Sequence, residues 1–313
     1  MIARGNLIAL TGATGFIGGW ICRELLQRGY RLRALVRNPD AACRLAALGI
    51  DTVRGDLHDP PALDALLAGS AGVVHAAATV RGASWADFET ANVAGTARLL
   101  AAVQKLETSP RLLFLSSLAA REPQLSWYAR SKSEAEALLG EAGDVDWLVL
   151  RPPAVYGPGD REMLPLLKLM ARGLAPVPGS LDARFSLIHA QDLVRAVADG
   201  LAADVAGQVL TLDDGHAGGY SWPELARIVE QLTGRPVRLL QVPEKLLDLV
   251  AGINVRTARL SGRLPMLSPG KLRELRYPDW VVDNAGIGCA LGWRPAIGLA
   301  EGLAPLLRGD AGA

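Results

Sequence analysis

Tyr128 and Lys132 stand four positions apart in a stretch of helical character running from Leu125 towards Leu139. At i and i+4 a phenol and an ammonium share one face of a helix. The chain has five tyrosines and five lysines among 313 residues, so such a pair arises by chance only about 0.08 times. A free phenol ionises near pH 10, and a neighbouring cation favours the phenolate. The pair can therefore take a proton from an alcohol or give one to a carbonyl. A further hydroxyl would fix the substrate oxygen. Ser116 and Ser117 follow the buried run Leu112-Leu113-Phe114-Leu115, and Ser117 is the expected partner of Tyr128, with Ser116 the alternative.

A second constellation lies at the start of the chain. Thr11-Gly12-Ala13-Thr14-Gly15-Phe16-Ile17-Gly18 joins an apolar strand to a helix. Glycines there permit a tight turn and a close approach of backbone to a pyrophosphate, while the N–H groups opening the helix favour an anion. Gly12, Thr14, Gly15, Phe16 and Ile17 are the expected contacts. The next strand ends at Arg37, where a carboxylate would hold the ribose 2′-hydroxyl of NAD and an arginine the 2′-phosphate of NADP. Arg37 points to NADP, with NAD the alternative.

These groups need a scaffold. Leu7 to Leu10, Leu32 to Val36, Thr52-Val53, Gly72 to His75, Leu112 to Leu115 and Trp147 to Leu150 read as buried strands. Between them run helical stripes, Ile17-Ile21-Leu25 and Asn92-Thr96-Leu99-Val103-Leu106. Alternation of this kind predicts a doubly wound parallel α/β sheet of the Rossmann type. Residues 1–158 form the expected dinucleotide-binding domain. Residues 159–313 form a smaller, interleaved and mainly substrate-binding region, with 184–212 expected to return to the sheet and helices around 161–173, 190–203 and 222–233. Between 241 and 281, Leu247, Val250, Ile253 and Leu260 mix with Arg256, Arg259 and Arg263. A substrate lid and an amphipathic helix facing a core both fit; the second is the expectation, because apolar stripes usually pack inward.

Composition excludes several classes. Thirty-three basic residues against 32 acidic leave a net charge of +1, which offers nucleic acid and anionic membranes no chain-wide attraction. Trp85, Trp127, Trp147, Trp222, Trp280 and Trp293 are expected to pack rather than stack on bases. Cysteines at 22, 43 and 289 form no C-x-x-C, and reduced thiols, no export signal and no long apolar run point to the cytoplasm. The four histidines are dispersed, so no metal is expected. His75 is read as structural, and His189 with Asp192 as opening a helix that ties the C-terminal part to the sheet. The sequence G-x-S-x-G and the P-loop pattern are absent, which argues against hydrolases and P-loop enzymes.

Together these residues resemble the short-chain dehydrogenase/reductase superfamily, in its extended, NAD-dependent epimerase/dehydratase-like branch. Further carriers are Gly55-Asp56-Leu57, Val74-His75-Ala76-Ala77-Ala78, Asn92-Val93-Ala94-Gly95-Thr96, Arg151 to Gly159, Ile188 to Leu193, and Leu291 to Pro295. The resemblance implies that Asp56 and Leu57 contact adenine and that Ala76, Ala77 and Ala78 line the adenosine and ribose path. It implies that Tyr128 and Lys132 are catalytic and hold the nicotinamide ribose, with Pro152 and Val155 bordering the nicotinamide. It also implies a homodimer through the helices around 92–106 and 125–139. Only ten residues separate Ser117 from Tyr128, shorter than in sugar-nucleotide epimerases of this branch, and the C-terminal third looks more like reductases of hydroxysteroid- or flavonol-like carbonyls. The leading expectation is an NADP-dependent oxidoreductase acting on a small-molecule carbonyl or secondary alcohol. The alternatives are a redox-neutral sugar-nucleotide epimerase or dehydratase, and a dinucleotide-sensing protein without activity.

Overall fold

A computed structural model of the chain describes residues 2–261 and 267–308; Arg263 of the 241–281 segment lies outside them. Seven parallel strands form the main sheet, in the order Gln208–Thr211, Trp147–Arg151, Arg111–Leu115, Gly72–His75, Leu7–Thr11, Arg31–Val36 and Asp51–Arg54. Successive side chains of each strand leave on opposite faces, and both faces are apolar. Ile8, Leu10, Val74, Leu113 and Leu148 join a core with Ile21, Leu25, Leu193 and Val197 from the helices Phe16–Gln27 and Ala190–Ala202. Ala9, Val73, Phe114 and Val149 join the opposite core with Leu63, Leu99 and Leu139 from the helices Pro60–Leu67, Gly95–Gln104 and Trp127–Gly140. Burial on both faces explains why these strands read as unbroken apolar runs.

The strand order reverses beside Leu7–Thr11, which pairs with Arg31–Val36 on one side and Gly72–His75 on the other. Open α/β sheets bind ligands at the carboxyl ends of strands at such a switch point. The segment expected to return to the sheet divides. Gln208–Thr211 pairs with Trp147–Arg151, whereas Leu187–His189 pairs with Ala154–Tyr156 and Arg184–Phe185 with Tyr220–Ser221 and Asp279–Trp280. The reason is packing. Leu187, Tyr156, Tyr220 and Trp222 belong to a third core, with Met170, Val229 and Leu303. Asp192 is fully buried and its carboxylate accepts hydrogen bonds from the backbone N–H groups of Ala296 (2.9 Å) and Ile297 (2.8 Å), tying the C-terminal segment to the helix Ala190–Ala202. His189 caps that helix through the N–H of Gln191.

The 241–281 segment forms helices Glu244–Ser261 and Pro269–Arg276. The expected inward stripe is corrected at Val250 and Ile253, which are exposed, as are Leu246 and Leu249, whereas Leu247 is half-buried beside buried Ala251 and the side chain of Leu260 lies outside the described ones. Trp127 departs likewise from the expectation of packing, being 45% exposed.

Candidate active site

The glycine turn is built for close approach. Gly12 has φ +80°, and a Cβ on it would lie 2.6 Å from the carbonyl carbon of Ala76 and the nitrogen of Ala77. A Cβ on Gly18 would lie 2.0 Å from the Gly12 carbonyl oxygen. Both glycines thus let the strand end, the helix start and the fourth-strand loop touch backbone to backbone. Gly15 is different: its Cβ would meet nothing nearer than the Gly12 oxygen at 3.4 Å. The helix Phe16–Gln27 begins at Gly15 with no side-chain cap, so its first N–H groups are left for an anion in front of the turn. Thr14 and Gly15 are exposed, and Phe16 and Ile17 half-buried, on this rim. A pyrophosphate fits the cradle.

Below the turn sits a closed hydrogen-bond chain. The Thr96 hydroxyl donates to the Asn92 carbonyl at 2.6 Å, so it accepts from His75 Nε2 at 2.9 Å. His75 Nδ1 then accepts from the Thr11 hydroxyl at 2.7 Å, and the Thr11 oxygen accepts from the Ala77 N–H at 3.2 Å. Burial pushes the His75 pKa down to about 3, with Lys132 adding to the effect, which keeps the imidazole neutral for this arrangement. His75 therefore fixes the loop Ala76-Ala77-Ala78. Ala76 and Ala77 are half-buried and Ala78 exposed along the expected adenosine path. Asp56 accepts from the His58 N–H at 2.7 Å, and Leu57 is buried against Gly95. Arg37 is exposed at its strand end, directly before Asn38 caps the helix Pro39–Ala46.

The Tyr–Lys helix starts at Ser126, whose hydroxyl accepts from the Ala129 N–H at 2.9 Å and donates to Glu274. Tyr128 is half-buried, and the Ser117 hydroxyl lies beside it and favours its phenolate. Burial pushes its pKa up to about 12, the Ser117 hydroxyl works against that rise, and the Glu274 charge adds to it. Lys132 is 1% exposed, and burial brings its own pKa down to about 7 against the opposing pull of Glu136.

The two serines part company. Ser116 is buried and donates to Glu136, which is also gripped by Arg151 with Nε at 3.0 Å from both carboxylate oxygens. Ser117 faces Tyr128, and its oxygen also accepts from the Ala119 N–H at 3.2 Å. The Leu118 N–H donates to the Pro152 carbonyl at 2.8 Å, which holds buried Pro152 beside the serine; Val155 is half-buried on the next strand.

Two groups, Glu136 and Glu274, escaped the sequence reading, and a third, Asn92, entered it only as part of a helical stripe and a family motif. Asn92, in the six-residue π-helix Glu89–Ala94, holds both the N–H and the carbonyl of Thr79 and donates to Ser131 at 2.8 Å. A polar residue within an apolar stripe was its signal. Glu136 and Glu274 had none, because their partners are distant in the chain. Glu274 brings the helix Pro269–Arg276 against the start of the Tyr–Lys helix, aided by Arg273, which donates to the Leu125 carbonyl at 2.7 Å. Tyr277 donates to Glu122 at 2.7 Å and Arg121 to the Val281 carbonyl at 2.9 Å. The short Ser117–Tyr128 loop is therefore walled by the C-terminal segment.

Residues 8–210 match the family model described as "NAD dependent epimerase/dehydratase family". The chain is 36% identical over 283 residues to ceramide reductase of Caulobacter vibrioides, spanning 90% of this chain and 88% of that protein. Its fold is similar to UDP-glucuronic acid 4-epimerase from Bacillus cereus in complex with UDP-glucuronic acid and NAD (TM-score 0.73, 19% identity, 97% and 99% of the two chains). It is also similar to RMD from Pseudomonas aeruginosa complexed with NADPH (TM-score 0.69, 21% identity, 97% of each chain). With a switch-point glycine cradle and a match covering most of its sheet, the chain belongs to the NAD-dependent epimerase/dehydratase family of enzymes, the extended branch of the short-chain dehydrogenase/reductases.

Proposed function

We propose that this chain is an NADP-dependent reductase of a ketone carried on a long-chain, lipid-like substrate. The observation that carries the reading is the placement of the Ser117 hydroxyl beside Tyr128, whose pKa desolvation pushes up to about 12, so that the phenol keeps its proton. A protonated phenol is the form that donates to a carbonyl oxygen, and a serine hydroxyl beside it can hold that oxygen in line. The similarity to ceramide reductase over nine-tenths of the chain supports the substrate class.

A nicotinamide dinucleotide, when bound, supplies the hydride. The chain's own share is to bind and to manage the proton. Gly12, Thr14, Gly15, Phe16 and Ile17 would receive the pyrophosphate, Arg37 the 2′-phosphate, and Asp56, Leu57 and Ala76 to Ala78 the adenosine side. Pro152 and Val155 would border the reacting ring. Tyr128 gives its proton to the carbonyl oxygen while Ser117 fixes that oxygen. Lys132, buried one turn along the helix, would restore the phenol's proton balance and hold the ribose. Two copies would pair through the helices around 92–106 and 125–139, where exposed Trp127 offers an apolar anchor.

The test is the consumption of NADPH by the purified chain with a long-chain amide ketone, run beside UDP-glucuronic acid. Consumption with the ketone alone is expected. Redox-neutral conversion of the sugar nucleotide, or no turnover of any long-chain ketone, would overturn the proposal.

A further inference from the structure

Four large apolar side chains stand exposed on two turns of one helix: Leu246 (51%), Leu249 (60%), Val250 and Ile253 (51%). Their spacing of i, i+3, i+4 and i+7 sets them on one face. Leu240 and Leu275, nearby in the chain, are exposed as well. Six of the ten large apolar residues exposed among the described residues thus fall between 240 and 275. Isolated exposed leucines are ordinary; a contiguous group marks an interaction surface.

We infer that the helix Glu244–Ser261 lies on an anionic bilayer surface with this stripe turned into the lipid. Charge selects the occupant. Residues 244–276 carry seven basic side chains against three acidic, while the whole chain is only +1, so the remainder is net negative. The chain-wide balance that argued against a membrane averages this segment away. A second copy laid on the stripe would bring the same basic excess against itself, whereas anionic headgroups complement it. No described helix is long and apolar enough to cross a membrane, and an amphipathic helix with basic residues is suited to lying in the interface.

The location gives the surface a use. Arg276 ties the two helices together, donating to Asp248 at 3.0 Å and to the Glu244 carbonyl at 2.9 Å. The helix Pro269–Arg276 in turn meets the start of the Tyr–Lys helix through Glu274 and Ser126. One helix therefore separates the stripe from the wall of the candidate active site. A lipid ketone held in the bilayer would be met at the surface, so the inference deepens the functional reading and rests on it for this last step alone.

The experiment is co-sedimentation of the full chain with vesicles of phosphatidylcholine alone or mixed with phosphatidylglycerol, using the wild type and the double variant Leu249→Glu, Ile253→Glu. The wild type should pellet with the anionic vesicles and be released by high salt; the variant should stay in the supernatant while keeping wild-type turnover of a water-soluble ketone. Equal binding to neutral vesicles, no binding to anionic ones, or unchanged binding by the variant would overturn the inference. So would light scattering in which the variant changes a dimer to a monomer and neither form binds vesicles. Vesicle binding without turnover of any ketone would leave the surface standing and remove the functional reading instead.

Discussion

Lys132 donates to the carbonyl oxygen of Leu115 at 2.8 Å, and its ammonium lies 4.0 Å from the centre of the Phe114 ring. Both partners present negative potential to the cation, the carbonyl by its dipole and the ring by its face. They belong to the strand Arg111–Leu115, which leads directly into Ser116 and Ser117. The lysine is thereby buried at the carboxyl edge of the sheet, with its proton loosely held: its pKa is near 7 in the fold against an ordinary 10.5.

That difference has a sign. Between about pH 7 and 10.5 the unfolded chain binds a proton that the folded chain lacks, so stability rises with pH across this window. Below it the buried ammonium weakens the fold most. Lys132→Met should melt above the wild type at neutral pH and lower, with the gap closing as pH climbs towards 10. Thermal unfolding across the pH range is the measurement; a gap independent of pH would reject the account.

Tyr128→Phe should reduce turnover by about 10²- to 10⁴-fold, the range for loss of a proton donor, with dinucleotide affinity retained. Glu274→Gln acts on the same phenol from the other side. Its charge raises the Tyr128 pKa, so its removal should move the high-pH fall of activity to lower pH, while glutamine still accepts from Ser126. A pH–rate profile whose alkaline limb stays in place would show that Glu274 has no hold on the phenol.

Gly18 and Gly15 should respond differently to alanine. At Gly18 the new methyl would sit 2.0 Å from the backbone oxygen of Gly12, which cannot swing aside, and a loss of about 1–3 kcal/mol or more is expected for such overpacking. At Gly15 the nearest contact is 3.4 Å, so the fold should keep its stability. Denaturant titration of the two variants compares them directly, and equal losses would contradict the geometry of the turn.

Arg37→Asp tests the choice of dinucleotide. An exposed guanidinium can pair with a 2′-phosphate through two parallel bonds, and an aspartate would repel that group while accepting from a 2′-hydroxyl. Titration should show NADP weakened far more than NAD. Equal change in both affinities would remove Arg37 from the cofactor site.

Much of this molecule is legible in the order of its residues. Leu7–Thr11, Gly72–His75 and Arg111–Leu115 read as buried strands because both their faces are apolar, and parallel strands with crossover helices then follow from chain geometry. The glycine turn and the Tyr128–Lys132 pair are local patterns, and local patterns survive in sequence. What lay beyond it depends on groups far apart in the chain. Ser116 and Ser117 are adjacent and chemically alike; only Glu136 and Arg151 on one side and Tyr128 on the other tell them apart. Glu274 meets Ser126 across 148 positions. The protonation of Tyr128 and Lys132 was open for the same reason, since desolvation depends on everything packed around a group. The apolar residues between 241 and 281 suggested an amphipathic helix packed on a core, yet Leu246, Leu249, Val250 and Ile253 of the helix Glu244–Ser261 face outward. A stripe records which side of a helix avoids water, and only the packed chain decides whether a core is there to receive it.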